Sequence, residues 1–239
     1  MSAKMKIPVA LTIAGSDSCG GAGVQADLKT FAALQVHGMS VITCITAQNT
    51  SGVVGVQGVE PSIVKAQIEA VVDDIGVDVV KTGMLYRSEI IHVVAEELRR
   101  NRFPLVVDPV MVAKSGARLL EPDAVKNLID EILPLATIVT PNVLETEVLV
   151  KIRPRTIDEA KKAAKAIVDL GPQAVVVKGG HIPLGEKVVD VLYLEGEYRI
   201  FEGKRLDERN THGTGCTFAS AIAAELAKGR SIVDAVGLA

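Results

Sequence analysis

The sequence has no tryptophan, and aromatic residues make up only 3% of it. It has no basic surplus either: 26 Lys and Arg stand against 29 Asp and Glu, a formal charge of −3. Nucleic-acid binding wants a basic stripe and usually stacking rings, so that class is excluded. Cysteine is scarce. Cys19, Cys44 and Cys216 are odd in number and match no zinc spacing, which predicts free thiols in a reducing, cytoplasmic setting. Met1 to Pro8 carries two lysines but no long apolar stretch, so no secretory signal is expected. Thr30 to Val59 has no charged residue and mimics a membrane span. Gln35, His37, Ser40, Gln48, Asn49 and several glycines interrupt it, so a buried helix and strand fit better and no membrane partner is expected. No Pro/Ser-rich linker, internal repeat or low-complexity tract divides the 239 residues, which predicts a single domain over 1–239. No G-x-x-x-x-G-K-[ST] occurs, so any ATP must be held otherwise than by a P-loop.

What is present is a run of short apolar segments alternating with helical patterns. Val9–Ile13, Ser40–Ala47, Val77–Lys81, Leu105–Val107, Ala136–Val139 and Ala174–Val177 read as strands. Helices are predicted over Val24–Val36, from Pro61 onward, from a Ser88 cap to Arg100, over Asp123–Ile132, from a Thr156/Glu159 capping box to Leu170, and over Thr217–Lys228. Gly52–Val59 reads as a small flap, and Val188–Leu194 with Tyr198–Phe201 as a hairpin turning at Glu195-Gly196. Continuous apolar strands between helices imply a three-layer α/β/α fold around a mostly parallel sheet. Ligands of such sheets bind outside the carboxyl ends of the strands, so Gly15, Gln48, Asp108, Asn142 and Lys178 are expected to converge.

Three groups of residues carry chemistry. Asn210-Thr211-His212-Gly213-Thr214-Gly215-Cys216 leads straight into an apolar helix. Its glycines let the backbone turn and approach a ligand, and the helix N-terminus offers N–H groups to an anion. Cys216 stands where a thiol acidifies and becomes reactive; the bland reading is a small buried hydrophobe. Second, Asp108-Pro109 and Asn142-Val143-Leu144-Glu145 follow strands. Their carboxylates suit Mg²⁺, or else Asn142 and Glu145 simply cap a helix. Third, Lys178-Gly179-Gly180 ends a strand, where a lysine meets a nucleotide phosphate or stays solvated. His181 and His212 are set aside as structural. Gly21-Ala22-Gly23-Val24-Gln25-Ala26 fits G-x-G-x-x-A, but no acid lies between Asp27 and Glu60 to hold a ribose. A tight turn, or a loop wrapping a small substrate with Asp27 reaching back, fits better.

Taken together, Leu11-Thr12-Ile13-Ala14-Gly15-Ser16-Asp17, Gly20–Thr30, Ala47-Gln48-Asn49-Thr50, Gly83-Met84-Leu85, Asp108-Pro109-Val110-Met111, Lys178-Gly179-Gly180-His181 and Thr211–Cys216 follow in the order seen in one family. Over essentially its whole length the chain resembles the hydroxymethylpyrimidine/phosphomethylpyrimidine kinases of the ribokinase-like superfamily. The resemblance implies ATP- and Mg²⁺-dependent phosphorylation of the hydroxymethyl group and then of the monophosphate, toward thiamine diphosphate. It implies a pyrimidine pocket of Gly15, Asp27, Gln48, Met84 and Val110. The anion hole would be Gly213, Thr214 and Gly215, with Cys216 acting as a thiolate base or positioning the alcohol. Asp108 and Glu145 would serve Mg²⁺, while Lys178, Asn142 and Gly179 would serve ATP. A homodimer is also implied. Family members run some tens of residues further, whereas this chain stops inside an apolar helix beginning near Ser231, as a truncated or fused kinase domain would. The alternatives are a pyridoxal kinase, a sugar kinase (disfavoured by Cys216 and Met84), and a pyrimidine-binding regulator without turnover.

Overall fold

A computed structural model describes residues 7–111, 119–180, 182–183, 185–205 and 212–239. His181, Asn210, Thr211 and most of the N-terminal segment discussed above lie outside them. The strands are β1 (Val9–Asp17), β2 (His37–Asn49), β3 (Gly52–Gly58), β4 (Val79–Thr82), β5 (Leu105–Val107), β6 (Ile138–Val139), β7 (Ala174–Val177), β8 (Lys187–Leu194) and β9 (Glu197–Lys204). They form one sheet in the order β3-β2-β1-β4-β5-β6-β7-β8-β9. Pairing is parallel from β2 through β7; the flap strand β3 and the β8–β9 hairpin add antiparallel edges.

Side-chain alternation splits the core into two layers. Val80, Val107, Val139, Val175 and Val177 point to one face, packed with α2 (Pro61–Asp74), α3 (Ser88–Asn101), α4 (Pro122–Asn127), α5 (Val143–Val150) and α6 (Ile157–Val168). Val79, Val106, Ile138, Ala174 and Val176 point to the other, against α1 (Gly23–Ala33), α7 (Thr214–Ala227) and α8 (Ile232–Leu238). Both faces are covered, which is why these strands read as unbroken apolar runs. Chain order reverses at β1, whose neighbours are β2 and β4. The crevice beyond β1 and β4 is therefore the topological switch point where such sheets bind ligands.

Local corrections follow from hydrogen bonding. Ser88 is the first residue of α3 rather than its cap; Arg87 is the N-cap and makes no side-chain bond there. Thr156 does accept from the Glu159 N–H, but the Glu159 carboxylate reaches Arg155 N rather than closing the box. The segment predicted helical to Ile132 loosens into a π turn at Leu128–Ile132. Helix α7 starts at Thr214, three residues before the predicted start, so Gly215 and Cys216 lie inside its first turn.

Candidate active site

The N-cap of α7 is Gly213, at φ +83°. An L-residue is strained there, and a Cβ would stand 1.6 Å from the Gly21 carbonyl oxygen. Gly23, at φ +57°, is similarly pressed on the Gly15 carbonyl. The loop after β1 and the start of α7 are thus in backbone contact, possible only without side chains. Thr217 N–H bonds the Gly213 carbonyl at 2.9 Å and closes the first turn. The N–H groups ahead of it in a helix have no intrahelical acceptor, and Gly215 and Cys216 border a cleft at this point.

That cleft encloses about 810 Å³ including its open mouth. Gly15, Gln48, Met84, Val110, Asp108, Asn142, Glu145, Lys178, Gly213, Gly215 and Cys216 line it. All five strand-end residues expected to converge are among them. A second cavity, of about 1090 Å³, runs past Thr214, Thr217 and Phe218. Asn142, Lys178, His212 and Gly215 line both. The two cavities therefore meet at the N-terminus of α7.

The polar wall is built by the ends of β5, β6 and β7. An isolated parallel bridge pairs Asn142 with Lys178, and Lys178 N–H bonds the Pro141 carbonyl at 2.9 Å. Lys178 Nζ then donates to Asp108 Oδ1 at 3.1 Å. Burial alone would discharge the lysine, but Asp108 and Glu145 hold its pKa above the ordinary value. Burial likewise pushes Asp108 up, and Lys178 and Lys81 outweigh it to hold the carboxyl low. Asn142 and Glu145 complete a capping box: Asn142 Oδ1 accepts from Leu144 N and Glu145 N, and Glu145 Oε2 accepts from Asn142 N at 2.8 Å. Capping and cleft-lining are both realised. Burial pushes the Glu145 carboxyl up to about 7, with Lys178 pulling down and Asp108 pushing up. A cleft wall with the side-chain oxygens of Asp108 and Glu145 side by side has a donor set that fits Mg²⁺, which takes one or two carboxylates and otherwise waters and phosphate oxygens.

Three of the expected site residues sit in surroundings other than those the sequence suggests. Asp27 does not reach the cleft: it is fully buried, and its carboxylate takes bonds from Lys81, Thr12 and Ser220. Gly179 lines neither cavity. Its N–H donates to Asp190 Oδ1 at 2.7 Å, and a Cβ would lie 1.8 Å from the Val189 carbonyl oxygen. Cys216 is not a pre-formed thiolate. Burial pushes its pKa up to about 12; Lys81 pulls down, but Asp108 and Asp27 push further up. At pH 7.5 iodoacetamide is expected to label exposed Cys19 first, with Cys216 slower by at least about tenfold. Peptide mass spectrometry reads this, and equal labelling rates would restore the acidified thiol.

Some site residues escaped the sequence reading. His212 Nε2 lies 2.9 Å from Asp17 Oδ2 and 3.3 Å from Gln48 Nε2. With Nε2–H given to Asp17, the Gln48 NH₂ faces a nitrogen already acting as donor. The Gln48 Oε1 lies 3.1 Å from Thr46 Oγ1, whose single proton the Ser16 carbonyl also takes at 2.9 Å, so the Gln48 amide is loosely held and readily turned toward a ligand. Asp17 also accepts from Cys19, Gly21 and Ala22 N–H groups; burial pushes its carboxyl up, but these bonds and His212 outweigh it. On the opposite wall Met84 rests on Cys44, Sδ to Sγ 3.8 Å, and Thr43 Oγ1 pins the Met84 carbonyl at 2.7 Å. That leaves a flat apolar patch with Val110 and Leu119.

A mostly parallel α/β/α sheet with a cleft at its switch point, and a helix start shared between that cleft and a second cavity, is the architecture of the ribokinase-like kinases. The sequence profile of phosphomethylpyrimidine kinase matches residues 17–239, and the chain belongs to that family. It is 53% identical over 234 residues to the hydroxymethylpyrimidine/phosphomethylpyrimidine kinase of Rhizobium meliloti, covering 97% of this chain and 87% of that one. The crystal structure of phosphomethylpyrimidine kinase from Clostridium difficile superposes with a TM-score of 0.86 at 47% identity, over 98% of this chain and 96% of the other. An ADP complex of Bacillus subtilis pyridoxal kinase superposes at 0.88 with 40% identity, over 98% and 88%.

Proposed function

We propose that this protein transfers the γ-phosphoryl group of ATP to 4-amino-5-hydroxymethyl-2-methylpyrimidine, and then to the resulting monophosphate, supplying the pyrimidine half of thiamine diphosphate. The observation that carries the reading is the sharing of the α7 N-terminus and Lys178 between two cavities. An acceptor on one side and a nucleotide on the other would bring alcohol and γ-phosphate together there. The pyrimidine lies against Met84 and Val110, and the Gln48 amide turns to meet its amino edge. The Gly215 and Cys216 N–H groups take the charge that develops on the transferred group. Lys178 accompanies the phosphates across the boundary. Asp108 and Glu145 would hold Mg²⁺, which when bound neutralises phosphate oxygens. Cys216 keeps its proton in the free protein and orients the acceptor hydroxyl; a loose transition state needs little help from a base.

Pyridoxal is the second acceptor worth testing, because the pyridoxal kinase fold superposes at 0.88. Steady-state assays with Mg·ATP and three acceptors separate the readings. The hydroxymethylpyrimidine and its monophosphate are expected to exceed pyridoxal in kcat/KM by at least about tenfold. Turnover of pyridoxal alone would replace the proposal, and acceptor binding with no ADP release would make the protein a sensor.

A further inference from the structure

Beneath the cleft floor lies a charge couple that this phosphoryl transfer does not yet use. Lys81 stands near the end of β4 and Asp27 in α1, and both side chains are fully buried. The ammonium is 2.9 Å from each carboxylate oxygen. Thr12 of β1 and Ser220 of α7 donate to the same carboxylate at 2.6 Å each. Asp27 is thus fully satisfied. Lys81 is not: among the described residues its ammonium is bonded to the Asp27 carboxylate alone, which leaves N–H capacity unused.

Lys81 borders the cleft, and Gly83 shapes the space beside it, since a Cβ there would lie 3.1 Å from Nζ. Its charge reaches the transfer wall. Lys81 lines the cleft together with Asp108 and Cys216, and although burial would discharge it, Asp27 first and then Asp108 hold it cationic, while Lys81 is the strongest pull lowering the Cys216 thiol. A buried ion pair is poor evidence for stability, because well-packed apolar residues usually do as well or better. The pair therefore needs another reason to be where it is.

We propose that Lys81, clamped by Asp27, is a positioning cation of the transfer site: its fixed charge offsets the negative charge that gathers beside Asp108 and Cys216 when a phosphate-bearing ligand arrives. The inference rests on the kinase reading above. Lys81 forms no bond to the reacting atoms. It acts on them through the wall formed by Cys216 and Asp108, and matters more for a phosphorylated ligand than for a neutral one.

The double variant Lys81→Met/Asp27→Asn removes both charges while leaving an amide that accepts from one of the Thr12 and Ser220 hydroxyls and donates to the other. Its melting temperature is expected near that of the unaltered protein. Its kcat is expected to fall about 100-fold with KM for the pyrimidine alcohol changed less than about threefold. By calorimetry it should bind the pyrimidine monophosphate about tenfold more weakly and the alcohol unchanged, a split that a merely structural pair would not produce. Lys81→Gln/Asp27→Asn, also uncharged, is the second variant. A folded neutral pair with unaltered kcat and unaltered monophosphate affinity overturns the proposal. So does failure of both pairs to fold, which would assign the couple to stability alone. If the unaltered protein neither binds nor phosphorylates the pyrimidine, the kinase reading itself falls instead.

Discussion

Gly213→Ala is expected to lower kcat by at least about a thousandfold while the protein still folds. Removing a single oxyanion-type donor costs about 10²–10³ in rate. This substitution should displace the whole first turn of α7. At φ +83° alanine is strained by about 1–2 kcal/mol. Relaxing that strain does not help, because the new Cβ would still stand 1.6 Å from the Gly21 carbonyl oxygen. Backbone cannot yield as a flexible side chain can, so the α7 N-terminus and the loop after β1 must part. The N–H groups of Gly215 and Cys216 then no longer point at the position a transferred phosphoryl would occupy. The fold as a whole should survive, since the rest of α7 is anchored through Ala219, Ile222, Ala223 and Ala224 in the core. Saturating-substrate kinetics measure the loss, and circular dichroism with a thermal melt confirms folding. Gly203→Ala is the control, because nothing lies within 4 Å of its Cβ position. A Gly213→Ala enzyme within tenfold of the unaltered kcat would remove the amide-lined turn from the chemistry.

The same turn shows where sequence reasoning reaches and where it stops. Apolar runs ending in Asp108, Asn142 and Lys178 were legible because parallel strands covered on both faces leave polar residues only at their ends. The Gly-Thr-Gly step was legible as an anion site, yet the helix was placed three residues late. Glycine is a poor helix former locally, and the contact with Gly21 that fixes the turn comes from the other end of the chain. The surroundings of Asp27 are hidden for the same reason. An acid after a glycine-rich loop reads as a ligand contact, and only the folded chain, which gathers Thr12 of β1, Lys81 of β4 and Ser220 of α7 around it, shows that it faces a lysine 54 positions away. His212 was passed over because its partner Asp17 lies 195 positions away. The expected acidity of Cys216 was a correct local inference from a helix N-terminus, overruled by burial and by two carboxylates that no local pattern announces.

The couple under the floor also yields the largest expected change in stability. Asp27→Ala strands the Lys81 ammonium in the core and leaves the Thr12 and Ser220 hydroxyls without their acceptor. Breaking a buried pair by removing one partner costs about 3–5 kcal/mol. For a chain of this size, that is a melting-temperature loss of about 6–20 °C. Lys81→Met should lose less. The carboxylate it leaves behind keeps two short bonds from Thr12 and Ser220, and methionine fills the space of the lysine stem. The order matters more than either value. Asp27→Ala below Lys81→Met, with the neutral double variant near the unaltered protein, is what a carboxylate serving to hold a cation produces. If Lys81→Met were instead the less stable single variant, Asp27 would be the charge in need of a partner. Lys81 would then be its counter-ion, not a charge kept for the cleft.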